Sequence, residues 1–313
     1  MINLDIVIVN WNTGVQLREC LQSILHASSV SDLHLRQCIV IDNDSQDGSA
    51  DGLDSMPLPL MVVRNHENKG FAYACNQGAK AGKSEFLLFL NPDIRLFPGS
   101  LLKAFDFMNK KENEQNGILG IQLIDKDGAI QRNVARFPTP KSLPFQMLGL
   151  DRIWPRRFPS LFMSDWDHLE SKEVDQVTGA FYLVRRVVFE ELKGFDERFF
   201  MYYEDLDFAY RAKQVGWKSY YLADTQACHL GGGASNLIKA RRLFYLVNSR
   251  VLYVAKHYGI PSAIIIIIAT FLVEFWVRLG WSVVTLSKQN FIETIQAYSI
   301  FTRNIPKLLK ELR

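Results

Sequence analysis

The chain has 313 residues, 48% hydrophobic, 12% aromatic and 22% charged, which excludes disordered, collagenous and disulfide-scaffold classes and leaves room for one large core or two small ones. The net charge of +3 is uneven: residues 235–313 hold 11 Lys+Arg against 3 acids, about +8, whereas the first 234 hold 25 against 30, about −5. The acidic part argues against nucleic acid as a partner, and a basic tail that is also the most apolar stretch points to an anionic membrane surface.

Cys20, Cys38, Cys75 and Cys228 have no C-x-x-C spacing, so reduced thiols are expected rather than a zinc knuckle or a disulfide frame. The first residues lack the basic region and cleavage site of an export signal, and the apolar run at 4–9 reads as a strand. From 4 to 124, β-branched runs alternate with helical stretches, the pattern of βαβ units on a parallel sheet. Strands are predicted at 4–10, 38–42, 60–64, 85–90 and 118–124, with helices at 15–25, 71–82 and 98–109. Leu17, Leu21, Ile24 and Leu25 give the first helix its apolar face.

Residues 125–173, rich in proline and aromatic side chains, read as a loop-rich insertion that shapes a specificity surface. Regular structure is predicted to return at 174–185, followed by a helix at 205–215, strands at 218–222 and 226–229, and a helix at 237–257. The tail then carries an apolar run of 13 residues at 261–273. That is about 20 Å of helix, short of the roughly 30 Å of a bilayer core. Extension to 286 brings in Glu274 and Arg278, an i,i+4 pair, and Thr270, Glu274, Arg278 and Ser282 make one narrow polar stripe. We read a helix lying on a membrane surface, with a span or a buried or oligomer-forming helix as alternatives.

Five clusters carry the chemistry. Asn10 and Asn12 end the first strand and Asp42 ends the second, at the carboxyl edge where open α/β sheets bind ligands. Asp42 can accept the N3–H of a pyrimidine, or it can simply cap a turn. In the run 65–76, Gly70 permits close backbone approach, and Asn68 and Asn76 can bond to base or ribose. At 89–93, Asp93 can hold a divalent cation that bridges two phosphates, while Asn91 offers only a neutral carbonyl. At 194–207, five aromatic residues accompany Glu204 and Asp205, and Asp205 can accept a hydroxyl proton. Finally His229, ahead of the glycine run 231–233, can complete a metal site with Asp93. There is neither a G-x-G-x-x-G after the first strand nor a P-loop.

The ordered set VIVNWN, VIDNDSQDGS, NKGFAYACNQG, LFLNPD, VTGAFYLVRR, GFDERFFMYYEDLDFAYRAKQVGW and H-x-G-G-x-S resembles family 2 inverting glycosyltransferases of the rhamnosyltransferase-type branch, over roughly residues 1–258. The resemblance implies an α/β GT-A fold, a Rossmann-like, mostly parallel sheet flanked by helices, with a C-terminal helical membrane-associating extension. It implies a catalytic domain at 1–235, with a nucleotide-sugar-binding half at 1–124 and an acceptor half at 125–235, and a basic, apolar tail at 236–313. Asp42 would contact the pyrimidine, Asn10 and Asn12 would line the nucleotide cleft, and Asn68, Gly70, Asn76 and Asn91 would help hold the donor. Asp93 matches the last acid of the family's D-x-D motif, with His229 a second ligand for Mg²⁺ or Mn²⁺. Asp205, paired with Glu204, matches the base, and Gly179 and Ala180 match the segment beneath the acceptor. The expected partners are dTDP-L-rhamnose and a polyprenyl-diphosphate-linked glycan, for a cytoplasmic enzyme peripheral on the inner face of the plasma membrane. Three alternatives remain open: a scaffold without turnover, a transferase using another UDP- or GDP-sugar, and a tail that serves a homo-oligomer.

Overall fold

The computed structural model describes residues 3–29, 34–231 and 239–312. The strands are β1 (Asn3–Asn10), β2 (His34–Asn43), β3 (Leu60–Asn65), β4 (Phe86–Leu90), β5 (Ile94–Leu96), β6 (Asn116–Ile124), β7 (Ile130–Gln131), β8 (Val134–Ala135), β9 (Lys172–Val174), β10 (Gln176–Val177), β11 (Phe181–Arg185) and β12 (Lys218–His229). The helices are α1 (Gln16–Ser29), α2 (Phe71–Ala81), α3 (Ser100–Asn109), α4 (Ser142–Met147), α5 (Leu150–Ile153), α6 (Arg186–Glu191), α7 (Glu204–Gln214), α8 (Lys239–Tyr258), α9 (Ile260–Ala269), α10 (Phe275–Val284) and α11 (Lys288–Glu311). Two compact units result.

The first unit comprises Met1–Ala135, Trp166–Glu197 and Glu204–Ala234. Its main sheet runs β3-β2-β1-β4-β11-β6-β12-β5, with β7 beside β6 and β9 beside β12. The ladders β1–β2, β2–β3, β1–β4 and β6–β12 are parallel, and β11 runs antiparallel between β4 and β6. β4 is buried throughout and β1 beyond its first residue, because helices cover both faces of a parallel sheet. α2 lies close against β1: a Cβ at Gly78 would sit 2.4 Å from a Val7 methyl, so only glycine fits there.

The expected elements are present, with instructive differences. α1 extends about a turn past the predicted end, and β5 falls where no strand is predicted. The strands expected at 218–222 and 226–229 are one strand, β12. Its register jumps from Leu222 opposite Ile121 to Gln226 opposite Gln122, and the bulged Ala223 N–H donates to Ser171 Oγ at 2.9 Å.

The second unit comprises Arg136–Asp165, Arg198–Tyr203 and Ser235–Arg313. α8 packs along α9 and α11, α10 packs on α11, and α4 packs on α9 and the π turn Thr270–Glu274. Through that turn α9 and α10 form one helix, Ile260–Val284, 25 residues long and apolar enough by length and composition to cross a membrane. The polar stripe on this helix faces inward: Thr270, Glu274 and Ser282 are buried. It does so because α8 buries Arg250, which donates to Thr270 Oγ1 at 3.0 Å and to Glu274, while Arg278 binds the other Glu274 oxygen at 2.8 Å. Burial opposes ionisation of Glu274, yet the two guanidinium groups hold its carboxyl down at about 2.

A carboxylate whose folded pKa is depressed contributes stability above its unfolded value, about 4.3, and loses it as pH falls toward the folded value. Glu274→Gln leaves Arg250 buried without its counter-charge and is expected to destabilise the chain by about 3–5 kcal/mol at pH 7. The loss should narrow as pH falls toward 2. Urea unfolding followed by circular dichroism at both ends of that range checks it.

Candidate active site

The carboxyl edge of β1 and β2 is organised by one amide. Asn10, fully buried, donates from Nδ2 to Asp42 Oδ1 at 2.9 Å, Ser49 Oγ at 2.8 Å and Ser45 Oγ at 3.1 Å, and its Oδ1 accepts from Thr13. Parallel register places Asn10 directly opposite Asp42. Asn12, with a left-handed backbone at φ +50°, receives the Gln46 N–H on its Oδ1 and donates its own N–H to Ser45. The loop 44–49 is thus latched to the end of β1 around the buried Asp42. Ser45 and Ser49, quoted in the motif but given no role from the sequence, are the latches.

A second asparagine, Asn43, extends the same edge. Its Nδ2 donates to Asn68 Oδ1 at 2.9 Å and to the Gly70 carbonyl, and its Oδ1 accepts from Asn65 and from the Lys69 N–H. Asn68 in turn accepts the Gly70 N–H, and Gly70 enters α2 at φ +90°, a backbone that favours glycine. Asn76 behaves differently. Both its amide hydrogens go to the Phe195 carbonyl and Glu197, and its Oδ1 accepts the Phe195 N–H, all at 2.9 Å. It ties α2 to the segment before α7. Arg211 adds a second tie, pairing with the buried Asp207 at 2.8 Å and donating to the carbonyls of Leu192 and Gly194.

Antiparallel pairing of β4 with β11 puts Leu90 opposite Phe181, and the Asn91 N–H continues it to the Ala180 carbonyl at 2.9 Å. Gly179 donates its N–H to Asp205 Oδ2 at 2.8 Å. Asn91, Gly179, Ala180 and Asp205 are therefore joined in one chain of contacts. Two residues on, Asp93 is buried, its Oδ2 lies 3.4 Å from His229 Nε2, and its carbonyl accepts the Leu230 N–H. Gln131 donates its amide hydrogen to the His229 carbonyl at 2.8 Å, so its Oε1 is the atom 2.7 Å from His229 Nδ1. Nδ1 must then carry the hydrogen, and Nε2 turns toward Asp93. A ring nitrogen and a carboxylate oxygen 3.4 Å apart could both turn to a cation, with Gln131 orienting the ring. Among the described residues no group of three His, Cys, Asp or Glu side chains converges, so a metal would take two protein donors here and the rest from phosphate or water. Nothing local in the sequence points to Gln131, which lies 98 residues from His229. Residues 232–235 of the H-x-G-G-x-S run lie outside the described residues.

Asp205 and Glu204 open α7. Burial pushes the Asp205 carboxyl up, against the N–H donors of Gly179 and Leu206 and the Gln176 side chain. Burial pushes Glu204 up further, with the Asp205 charge adding to it, and Glu204 Oε2 has no hydrogen-bond partner. The two carboxyls are unequal: Asp205 has the donors that suit a carboxylate, Glu204 the surroundings that suit a neutral acid. The aromatic residues near them pack elsewhere. Phe195 joins Phe89, Phe189 and Phe208, whereas Phe200 stacks on Tyr245 and Tyr203 meets Tyr253 of α8.

Residues 5–193 match the family model described as glycosyl transferase family 2. The chain belongs to that family. It is 28% identical over 244 residues, 72% of this chain and 75% of the relative, to the N-acetylglucosaminyl-diphospho-decaprenol L-rhamnosyltransferase of Mycobacterium tuberculosis. It is 24% identical over 206 residues, 66% of this chain and 74% of the relative, to rhamnosyltransferase WbbL of Escherichia coli K12. Among solved structures, GalNAc-T7 with UDP, GalNAc and Mn²⁺ matches with a TM-score of 0.58 at 17% identity, covering 83% of this chain and half of that one. S. aureus TarS 1-349 matches at 0.54 and 14% identity over 99% of this chain and 83% of that one. These likenesses establish the GT-A type of fold.

Because the folded pKa of Glu204 is raised, its protonation contributes stability at low pH that is lost as pH climbs through the raised value. Melting temperature is expected to fall as pH rises above the ordinary carboxylate range, and Glu204→Gln should flatten that fall. Melting curves of both proteins from about pH 5 to 8.5 check this; identical slopes would place the proton elsewhere.

Proposed function

We propose that this glycosyltransferase moves L-rhamnose from dTDP-L-rhamnose to a polyprenyl-diphosphate-linked glycan by a single inverting displacement. The observation that carries the reading is Asp205: a partly buried carboxylate gripped by the Gly179 N–H, next to a segment bonded to Asn91. The acceptor hydroxyl gives its proton to Asp205 as its oxygen bonds to the anomeric carbon. The bond from that carbon to the donor diphosphate breaks, with its electron pair leaving on the phosphate oxygen. No covalent enzyme intermediate is needed, and attack from the face opposite the leaving group inverts the centre. Asp42, held by Asn10, takes the pyrimidine N3–H; the 65–70 loop, held by Asn43 and Asn68, borders the nucleotide. Asn76 contributes by fixing the segment before the base.

Asp93 and His229 would hold Mg²⁺ or Mn²⁺, which when bound supplies positive charge to the diphosphate. The donor and acceptor classes are supported by the relatives, two of them rhamnosyltransferases and one of these named for a lipid-linked N-acetylglucosaminyl acceptor. The basic, apolar tail favours an enzyme peripheral on the cytoplasmic leaflet, where the lipid-linked acceptor is confined.

Asp205→Asn should lower transfer by about 10²–10⁴-fold while leaving the thermal shift given by dTDP intact. Unchanged transfer would remove Asp205 as the base. A nucleotide at 100 times its dissociation constant stabilises by about 2.7 kcal/mol. A shift with dTDP that grows with Mn²⁺, and no longer does so in Asp93→Asn, is the expected pattern. A shift with GDP alone would replace the donor, and no shift with any nucleotide would favour a scaffold without turnover.

A further inference from the structure

The second unit exposes large apolar side chains on two sequence-distant elements that pack on each other. On the helix Ile260–Val284, Leu272 is 69% exposed, Trp276 63% and Trp281 61%. On the insertion, Ile153 is 64% and Trp154 60% exposed. α4 anchors the insertion by burying Leu143 and Met147, one helical turn apart, and it packs on α9 and the π turn of the tail helix. The same helix leaves Phe145 exposed, and Leu148 just after it is exposed too. Residues 153–158 then curl around an open pocket of about 610 Å³ rimmed by Arg156 and Arg157.

Three observations say what covers this surface. The tail helix is inverted: its polar stripe is buried against Arg250 and its apolar side faces out, with only 22% of its most apolar window buried. Such a helix suits hydrocarbon outside and protein within, the reverse of a helix facing water. Both elements carry exposed tryptophan, the side chain that favours the bilayer interface. And residues 141–158 hold Lys141, Arg152, Arg156 and Arg157 against the single acid Asp151, continuing the positive charge of the tail. The neighbouring helices limit the depth. α8 exposes Arg241 and Arg242, and α11 exposes Arg303, Lys307 and Lys310, which a full span would carry toward hydrocarbon.

We infer that the insertion 141–158 is a second membrane-contacting element, seated with the tail helix in the interface of an anionic bilayer through Ile153 and Trp154 and held there by Arg152, Arg156 and Arg157. This rests on the peripheral membrane reading above and assigns to the insertion a role beyond specificity.

The full-length chain is tested on phosphatidylglycerol/phosphatidylcholine vesicles. Ile153→Ser with Trp154→Ser should weaken co-sedimentation about tenfold with unchanged circular dichroism, and Arg152, Arg156 and Arg157 all changed to Gln should weaken it on anionic vesicles but not on pure phosphatidylcholine. A polarity-sensitive dye placed by Ile153→Cys in a Cys228→Ser background should shift to the blue on vesicles, as should one placed by Val283→Cys. A shift at 283 with none at 153, and full binding by the double variant, would overturn the second element while leaving the tail docked. No vesicle binding by the parent chain at all would overturn the membrane reading itself. A dimer by light scattering that the double variant breaks, without vesicle binding, would assign the surface to a second copy instead.

Discussion

The candidate active-site edge depends on the antiparallel register of β4 and β11. With Leu90 opposite Phe181, the exit of one strand and the entry of the other coincide, and the Asn91 N–H closes the ladder on Ala180. A slip of one residue would turn every β11 side chain to the other face. It would also detach Gly179 from Asp205, because that N–H is offered two residues ahead of the strand. The buried apolar run of β4 is therefore more than core: its pairing sets Asn91, and through it Gly179, Ala180 and Asp205, in one frame. Asp93 and His229 rely on the neighbouring ladder, where Ile94 of β5 pairs with His229 of β12.

The second constraint is electrostatic and lies in the tail. Arg250 is buried, and a buried guanidinium without counter-charge is costly. Glu274 answers it from one turn of an apolar helix, and the π turn Thr270–Glu274 adjusts the phase at that point. Once Glu274 and Thr270 face α8, the opposite side of the helix must present isoleucine, leucine and tryptophan outward. The exposed apolar surface is thus a consequence of the polar core beneath it.

Most of the scaffold was legible in the sequence because parallel strands buried on both faces leave unmistakable apolar runs, and α1 and α2 carry clear helical periodicity. The ends of elements were less so, since β12 reads as two strands when its bulge at 223–225 interrupts the alternation. Within the candidate site, polar residues at or just past the end of a strand, such as Asn10, Asp42 and Asp93, could be named from local pattern. Gln131 and Asn43 could not, because their work is to orient something distant, and no local motif marks a side chain by the partner that folding brings to it. The polar stripe on the tail was visible as a stripe, but its direction was not. Whether Glu274 faces water or protein is decided by Arg250, 24 residues earlier, and an i,i+4 pair looks the same in either case.

Charge distribution adds a last step. The first 234 residues are about −5 and the remainder about +8. On the membrane reading proposed above, an anionic surface would attract the tail and not the acidic remainder before any apolar side chain inserts. The basic residues at 152, 156 and 157 would add a second point of attraction on a different element. Two points of attachment on one unit would resist tilting better than one, so the insertion and the tail helix would act as one platform at the proposed interface.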